Sequence, residues 1–333
     1  MKYVKLFFLV ILLAGCGEAD RGKAFITSQE GGITVIDLNS MEVAEQIDVG
    51  AGYPRGIGVT DDGKHLITAN KADANLSKIN YDTKEVINID VGINPEFVRV
   101  YKNQIFVSTE PSSTGKPPAK GEMKHEEDDD DDDEDRTPAK VAVVDLDQNK
   151  KVREITAGPE TEGIEFSEDG SKVIVTNEAD NTVTIHDFDS GDIVKTVDAS
   201  DYGLRPRGIK ISPNGQFYIA TLEHSNNFIV LDKNFDHIKT VDTQHDVDEG
   251  DMHTGNSPYG VSFNHSGDKL YVAASGGYKK RSTLEVYDGK TFEKLDRVRT
   301  DGRRCWHFTF TPDNKDILLA CGRSDEVLVI DAQ

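Results

Sequence analysis

Short segments in which apolar and polar residues alternate recur along the whole chain, separated by the same order of turns. One copy reads Pro54-Arg55-Gly56-Ile57-Gly58-Val59 before the turn Asp61-Asp62-Gly63, and related copies begin at Arg207 and Tyr259. Alternation with a period of two is typical of a β-strand that packs between two layers. A second alternating segment and a third one ending in Asp follow, so the repeating unit contains only short strands.

A repeat of about 40 to 50 residues that contains only strands predicts a β-propeller, in which the sheets are arranged radially as blades. The chain starts at a second strand, Lys23 to Thr27, and stops at a third strand, Glu326 to Asp331. We therefore predict an all-β, seven-bladed propeller whose first blade lacks its inner strand and whose last blade lacks its outer strand. The N- and C-terminal segments then close the ring. Six blades is the alternative, if the two terminal fragments form one blade.

The first residues have the order of a secretory signal. Lys2 and Lys5 precede the apolar run Leu6 to Leu13, which is too short to span a bilayer. The next residues, Leu13-Ala14-Gly15-Cys16, resemble the lipobox of bacterial lipoproteins, and the resemblance implies cleavage before Cys16 and a lipid on its thiol. An ordinary secretory leader with an incidental Cys is the alternative.

These observations divide the chain into a signal peptide (1–15), a lipidated tether (16–22) and one propeller domain (23–333). The expected location is the bacterial cell envelope, with the lipid on Cys16 as the membrane contact. By family resemblance, Gly17 favours an outer membrane with the protein facing the periplasm.

The chain has a formal net charge of −22, and the run Glu126 to Asp135 contains ten consecutive acidic residues. These carboxylates repel one another, so we predict a disordered acidic insertion at 111–140 that holds cations only loosely. A surface of this sign repels phosphate backbones, which argues against nucleic acid as a partner.

The segment from Val173 to Asp187 resembles the consensus of the YVTN family of β-propeller repeat proteins, and looser copies begin at Leu66 and Leu270. The resemblance covers nearly all of the chain after the predicted leader and implies the propeller fold. It leaves the function open, because the fold is similar to that of secreted binding proteins, lactonases and the haem-binding domain of a cytochrome-type nitrite reductase. The c-type haem motif C-x-x-C-H is absent from the sequence.

Two cysteines remain after the predicted cleavage, and they flank the hairpin from Phe308 to Ala320. If the register of the hairpin is symmetric, Cys305 and Cys321 lie opposite each other, within about 4.5–5.5 Å between Cβ atoms. We predict a disulfide, because the export compartment is oxidising.

The unusual loops are all expected on one face of the ring. The turns between inner and second strands are tight, for example Asp62-Gly63 and Asn214-Gly215, and they are structural. The opposite face carries Pro111 to Lys140, Thr243 to Ser257, Ser275 to Ser282 and the starts of the inner strands. Recognition is usually placed on such loops, so we assign binding to this face.

Aligned on the repeat, the first residues of the predicted inner strands converge at the mouth of the central channel. We call this set, together with the residue after the last of them, the mouth residues: Arg55, Glu96, Glu162, Arg207, Tyr259, Trp306 and His307. Such convergence is what a polar ligand needs. The alternatives are that Arg and Glu simply pair across adjacent blades, and that His307 is a hydrogen-bonded packing residue.

The loop from His245 to His253 is a second candidate, for a divalent metal ion. Carboxylates and an imidazole follow one another around a Gly that permits a sharp bend, and the candidate ligands are Asp246, Asp248, Glu249, Asp251 and His253. An acidic surface loop is the alternative.

The sequence has no G-x-S-x-G, P-loop or H-E-x-x-H motif, so no catalytic residue is assigned. The predicted function is that of a lipid-anchored propeller that binds a small molecule, a metal ion or an envelope protein on its long-loop face. The alternative is an enzyme of the hydrolase or lactonase type, or a tetrapyrrole-binding protein, that uses the channel mouth.

Overall fold

The computed structural model describes residues 20–111, 137–243, 257–275 and 280–332. In these ranges 26 strands form seven antiparallel sheets, five with four strands and two with three. The predicted all-β, seven-bladed propeller is therefore confirmed. No helix in the ranges described is long and apolar enough to cross a membrane.

The blades follow one another in chain order, and strands within a blade are consecutive neighbours. The first blade contains β1 (Lys23–Ser28), β2 (Gly32–Asp37) and β3 (Glu42–Ile47). The second contains β4 (Pro54–Val59), β5 (His65–Asn70), β6 (Asn75–Asn80) and β7 (Val86–Asp90). The third contains β8 (Pro95–Tyr101), β9 (Gln104–Thr109), β10 (Lys140–Asp145) and β11 (Lys150–Thr156).

The fourth and fifth blades are β12 (Thr161–Phe166), β13 (Lys172–Asn177), β14 (Thr182–Asp187) and β15 (Ile193–Asp198); then β16 (Pro206–Ile211), β17 (Phe217–Leu222), β18 (Asn227–Asp232) and β19 (His237–Asp242). The last two are β20 (Ser257–Phe263), β21 (Lys269–Ser275), β22 (Thr283–Asp288) and β23 (Lys294–Arg299); then β24 (Cys305–Phe310), β25 (Asp316–Cys321) and β26 (Glu326–Asp331).

The side-chain contacts of Thr27 show which strand β1 is. Its hydroxyl donates to the carbonyl of Arg55 in the next blade, at 2.5 Å. Thr176 and Thr221, both in second strands, make the same bond to the following inner strand, at 2.6 and 2.8 Å. β1 is thus a second strand, and in the part of the chain that the structure describes the first blade has no inner strand, as predicted.

One face of the ring, which we call the turn face, carries the connections from inner to second and from third to outer strands. Glycines with φ between 65° and 73° form the first kind of turn, at Gly63, Gly170, Gly215 and Gly267. In the second kind, the Asp or Asn at the end of the third strand accepts two backbone N–H groups, as Asp187 does from Asp189 and Ser190. The Asp that closes each repeat is therefore structural.

Apolar clusters fill the spaces between successive blades. Ile105 and Val107 of the third blade, for example, pack with Ile67 and Leu76 of the second. Between the first and last blades the described contacts are polar instead. Arg21 donates to Asp313 through Nε at 2.8 Å and also to Asp316, so a charged clamp spans the seam where the ring closes.

The predicted disulfide between Cys305 and Cys321 is confirmed. The two residues pair directly across β24 and β25, because a register shift between Cys305 and His307 moves the pairing by one residue. Without that bulge, the register set by the hairpin turn would place Cys305 opposite Gly322. The sequence pattern located the bond, but the bulge makes it possible.

Candidate functional site

Each inner strand has a β-bulge near its start, at the position of its mouth residue. The register shifts once in each of the six inner strands, in the first residues after the strand begins, for example between Pro206 and Ile209. A bulge bends its strand and redirects the side chain of the extra residue. The six equivalent residues that this brings to the mouth are Arg55, Glu96, Glu162, Arg207, Tyr259 and Trp306.

The residue before the inner strand is left-handed in five blades although none is glycine. Tyr53, Asn94, Glu160, Arg205 and Arg304 have φ between 48° and 58°. In each case its carbonyl accepts the N–H of the residue that follows the second strand, at 2.9 to 3.2 Å. This conformation is costly for residues with a Cβ, and its repetition shows that the tertiary structure imposes it. It fixes the residue after the second strand at the rim.

Four of the residues held in this way are charged and extend the mouth cluster. They are Lys71, Glu110, Glu178 and Glu223. The sequence analysis did not assign them, although they share a repeat position directly after the second strand. Aligning that position as well as the inner-strand starts would have found them.

Arg207 is the centre of the acidic half of the mouth. Its guanidinium lies 2.9 Å from Glu162, 3.0 Å from Glu178 and 2.9 Å from Glu223. Burial alone would lower the pKa of Arg207, but these three carboxylates raise it well above its usual value. Arg205 binds Glu178 as well, so both of these arginines are already paired with carboxylates of the protein.

Glu96 has the same role in the neighbouring half. Arg55 and Lys71 both lie 2.5 Å from its carboxylate, and Lys71 is also 3.5 Å from Glu110. The pairs Arg55–Glu96 and Glu162–Arg207 each join adjacent blades. The structure thus brings the charged mouth residues together in the cross-blade pairing that the sequence analysis left as an alternative.

Glu110 and Glu162 form a hydrogen-bonded carboxyl pair in which the two groups have opposite tendencies. Burial raises the pKa of Glu110 well above its usual value, and the charges of Glu162 and Glu96 raise it further. Burial also acts to raise the pKa of Glu162, but Arg207 and Arg55 lower it to about 2. Glu110 is therefore the member of the pair that is protonated more readily, and Glu162 is the member that ionises more readily.

Two aromatic side chains form a platform beside Arg207. The rings of Tyr259 and Trp306 stack with centroids 5.3 Å apart, and the guanidinium of Arg207 lies 5.0 Å from the Trp306 ring. The guanidinium of Arg304 lies 4.2 Å from the same ring. Among the residues that the structure describes, none supplies a hydrogen-bond acceptor to the buried indole Nε1 of Trp306. A buried donor of this kind is uncommon, and a bound water molecule or a ligand atom can satisfy it.

His307 faces Phe97 across the channel, with ring centroids 6.2 Å apart. The imidazole is exposed to the channel interior, while protein surrounds the channel itself. Because so narrow a space solvates a cation less well than bulk water does, burial lowers the pKa of His307 to about 4, and Arg207 acts in the same direction. The ring is therefore neutral at pH 7.

A second layer of charged side chains lies deeper in the channel, three residues further along the inner strands than the mouth residues. Glu165 pairs with Arg99 at 2.8 Å and with Lys210 at 3.1 Å. Burial opposes the ionised form of Glu165, but the two cations outweigh it and lower its pKa. The sequence analysis did not single out this layer, which joins three consecutive inner strands.

The remaining predicted sites lie outside the described residues. They are the lipidation site Cys16 and the metal candidates Asp246, Asp248, Glu249, Asp251 and His253. Across residues 20–111, 137–243, 257–275 and 280–332, no three His, Cys, Asp or Glu side chains are placed to hold a metal ion.

A comparison with protein families matches residues 139–250 to the family described as "Lactonase, 7-bladed beta-propeller". The match covers about a third of the chain and includes Glu162, Glu178, Arg207 and Glu223. No curated protein matches the chain.

Solved structures share the fold at low sequence identity. Hydrazine synthase from Kuenenia stuttgartiensis is 19% identical with a TM-score of 0.72, over 94% of this chain and 93% of that chain. A functionally unknown protein from Desulfotomaculum acetoxidans is 14% identical with a TM-score of 0.71, over 93% and 92%. A 6-phosphogluconolactonase candidate from Bacteroides uniformis is 15% identical with a TM-score of 0.66, over 92% and 90%. At these identities the likeness concerns the fold alone.

Proposed function

We propose that the protein is an exported, lipid-anchored propeller that binds a small, uncharged, polyhydroxylated molecule, such as a sugar or a sugar lactone, at its channel mouth. The observation that carries the proposal is the internal pairing of the mouth charges. Arg207 faces three carboxylates, and Glu96 faces two cations. A charged ligand would have to break one of these buried pairs, which costs several kcal/mol.

An uncharged polyol avoids this cost and still finds partners. Ring faces pack on aromatic platforms such as Tyr259 and Trp306, and hydroxyl groups donate to paired carboxylates. The free indole N–H of Trp306 supplies a donor for a ring or hydroxyl oxygen. The site therefore offers one apolar surface and several fixed polar groups, the usual composition of a small-molecule site.

Binding is tested through Trp306, the only tryptophan in the chain. We expect neutral sugars or aldonolactones to change its fluorescence with a saturable dose response, and phosphorylated analogues to bind at least tenfold more weakly. Glu162→Gln should weaken binding at least tenfold. Glu285→Gln is the matched control, because Glu285 is also buried and paired with an arginine, Arg297, but lies in the sixth blade away from the mouth. A preference for the phosphorylated analogues would contradict the proposal.

The lipid anchor is tested separately. Cys16→Ser should move the protein from the membrane fraction to the soluble fraction of the envelope, with the mouth unchanged. Fractionation with an antibody measures this, and a Cys16→Ser protein that stays in the membrane would contradict the anchor.

Hydrolysis of a lactone is the second candidate, supported by the family match and by the Glu110–Glu162 pair. Glu110, the more readily protonated member of the pair, would protonate the leaving oxygen in this candidate. A general base works best with a pKa near the operating pH. The pKa values of Glu162, about 2, and His307, about 4, lie well below 7, so both are weak bases. Binding without turnover is therefore the first proposal. Acid release from a lactone, abolished by Glu110→Gln, would favour the enzyme instead.

A further inference from the structure

The segment that joins the predicted tether to the domain lies on the turn face. The Asp20 carboxylate accepts a hydrogen bond from the amide of Asn39 at 2.8 Å, and Arg21 donates to the carbonyl of Leu38 at 3.1 Å. Arg21 also binds Asp313, in the turn between β24 and β25. All of these partners belong to connections on the turn face, and none belongs to the mouth.

The tether is shorter than the distance between the turn face and the channel mouth. Four residue steps separate Cys16 from Asp20, which span at most about 14 Å when fully extended. A strand of six residues is about 20 Å long, so the mouth lies roughly that distance beyond the turn face. A lipid on Cys16 therefore cannot reach a bilayer placed against the mouth.

We propose that the turn face lies against the lipid headgroups and that the channel mouth points away from the membrane. This inference rests on the lipid anchor of the proposed function. It places the site where a ligand arrives from the aqueous compartment, and it assigns the turn face a partner, the bilayer surface.

The chemistry of the turn face near the tether fits a headgroup layer. A cleft of about 600 Å³ lies there, lined by Lys23, Phe25 and Tyr81 together with the carboxylates of Asp20 and Asp37. The ammonium groups of Lys23 and Lys84 lie 4.9 and 4.1 Å from the centre of the Tyr81 ring. Tyrosine and lysine are the residues that favour the membrane–water interface. The clamp between Arg21 and Asp313 fixes the position of Arg21, just after the tether, on the turn face.

The mouth face also exposes apolar side chains, which this orientation directs toward the aqueous compartment. Tyr53, Ile93 and Leu204 are 38%, 61% and 45% exposed, and each lies one or two residues before an inner strand. Ile93 and the exposed Asp82 lie at opposite ends of β7, on the mouth face and the turn face. They form a matched pair of positions for a probe.

The experiment uses the lipidated full-length protein in phosphatidylcholine vesicles that carry a nitroxide on the lipid headgroup. Asp82→Cys and Ile93→Cys are labelled with bimane, since Cys305 and Cys321 are bonded and Cys16 carries the lipid. We expect the label at position 82 to be quenched at least threefold more strongly than the label at position 93. In detergent without nitroxide lipid, the two labels should give equal yields.

A flexible linker supplies the second arm. About 20 Gly and Ser residues inserted between Glu18 and Ala19 have a root-mean-square length of roughly 25 Å, enough to release the domain. We expect the difference between the two labels to disappear. Equal quenching at the two positions in the protein of natural length, or stronger quenching at position 93, would overturn the orientation. Protein that does not float with the vesicles would contradict the anchor itself, whereas ligand binding is measured independently on the Cys16→Ser protein.

Discussion

Removing Arg207 tests whether the mouth is a closed network of buried charges. Arg207→Met keeps most of the side-chain volume but leaves Glu162, Glu178 and Glu223 without their common partner. Breaking a buried ion pair by removing one member costs about 3–5 kcal/mol. Burial already raises the pKa of Glu178 well above its usual value, so this group can become neutral. We therefore expect the free energy of unfolding to fall by about 4 kcal/mol at pH 8, and not by this amount for each of the three carboxylates.

The sign of the pH dependence follows from Glu162. In the natural protein Arg207 and Arg55 hold its pKa at about 2, so its stabilising contribution is present above its unfolded pKa of about 4.3 and is lost as the pH falls toward 2. In the Arg207→Met protein, burial should raise the pKa of Glu162 in the folded state above its unfolded value. Glu162 then destabilises the fold at pH values at which the unfolded chain carries the ionised carboxylate. The loss in free energy of unfolding caused by Arg207→Met should therefore be roughly half as large at pH 5 as at pH 8.

Urea unfolding at pH 8 and pH 5, followed by Trp306 fluorescence and by circular dichroism, measures both effects. At about 2 °C per kcal/mol for a domain of this size, the melting temperature should fall by about 8 °C at pH 8. Adding Glu162→Gln to Arg207→Met should recover part of the loss, because it removes one unpaired charge. Arg153→Met is the control, since within the described ranges Arg153 donates to the carbonyl of Phe188 and to no carboxylate. A loss below 1 kcal/mol, or one that is equal at both pH values, would refute the reasoning.

Three further changes test contacts within the last blade and at the seam beside it. Replacing both Cys305 and Cys321 by Ser should lower the free energy of unfolding by about 3 kcal/mol, as expected for a loop of about 15 residues, and should remove the effect of reductant on urea unfolding. Gly302→Ala places a Cβ 2.4 and 2.7 Å from the two disulfide sulfurs, so it should lower the melting temperature, whereas Gly322→Ala, with no atom within 4 Å, should not; equal effects would contradict the packing. Arg21→Ala should lower the melting temperature and Arg21→Lys should lower it less, because the seam between first and last blades depends on this charge; an unchanged melting curve would show that the clamp is dispensable.

Much of the fold could be predicted from local patterns, because each strand and turn of the repeat is specified by residues close together in the chain. Gly63 and Gly170 allow the left-handed turn that each hairpin needs, and Asp187 caps its own turn through bonds to residues two and three positions away. Strand number and the positions of the two incomplete blades follow from alternation alone. The disulfide also followed, because a single hairpin joins Cys305 to Cys321.

Only some of the site residues could be predicted from the sequence in this way. Aligning the repeat predicted that Arg55, Glu96, Glu162 and Arg207 meet, because equivalent positions in a ring face a common axis. It did not predict Glu110, whose effect depends on burial next to Glu162. The opposite pKa shifts of these two carboxyl groups have no signature in the sequence.

The sequence by itself determined which residues form strands and turns, since those choices depend on neighbours a few positions away. The tertiary structure alone decided that three carboxylates surround Arg207 and that Arg21 reaches Asp313 across the seam, 292 residues along the chain. Charge pairing and pKa depend on distance and burial in three dimensions, and bulges of a single residue in six separate strands set both.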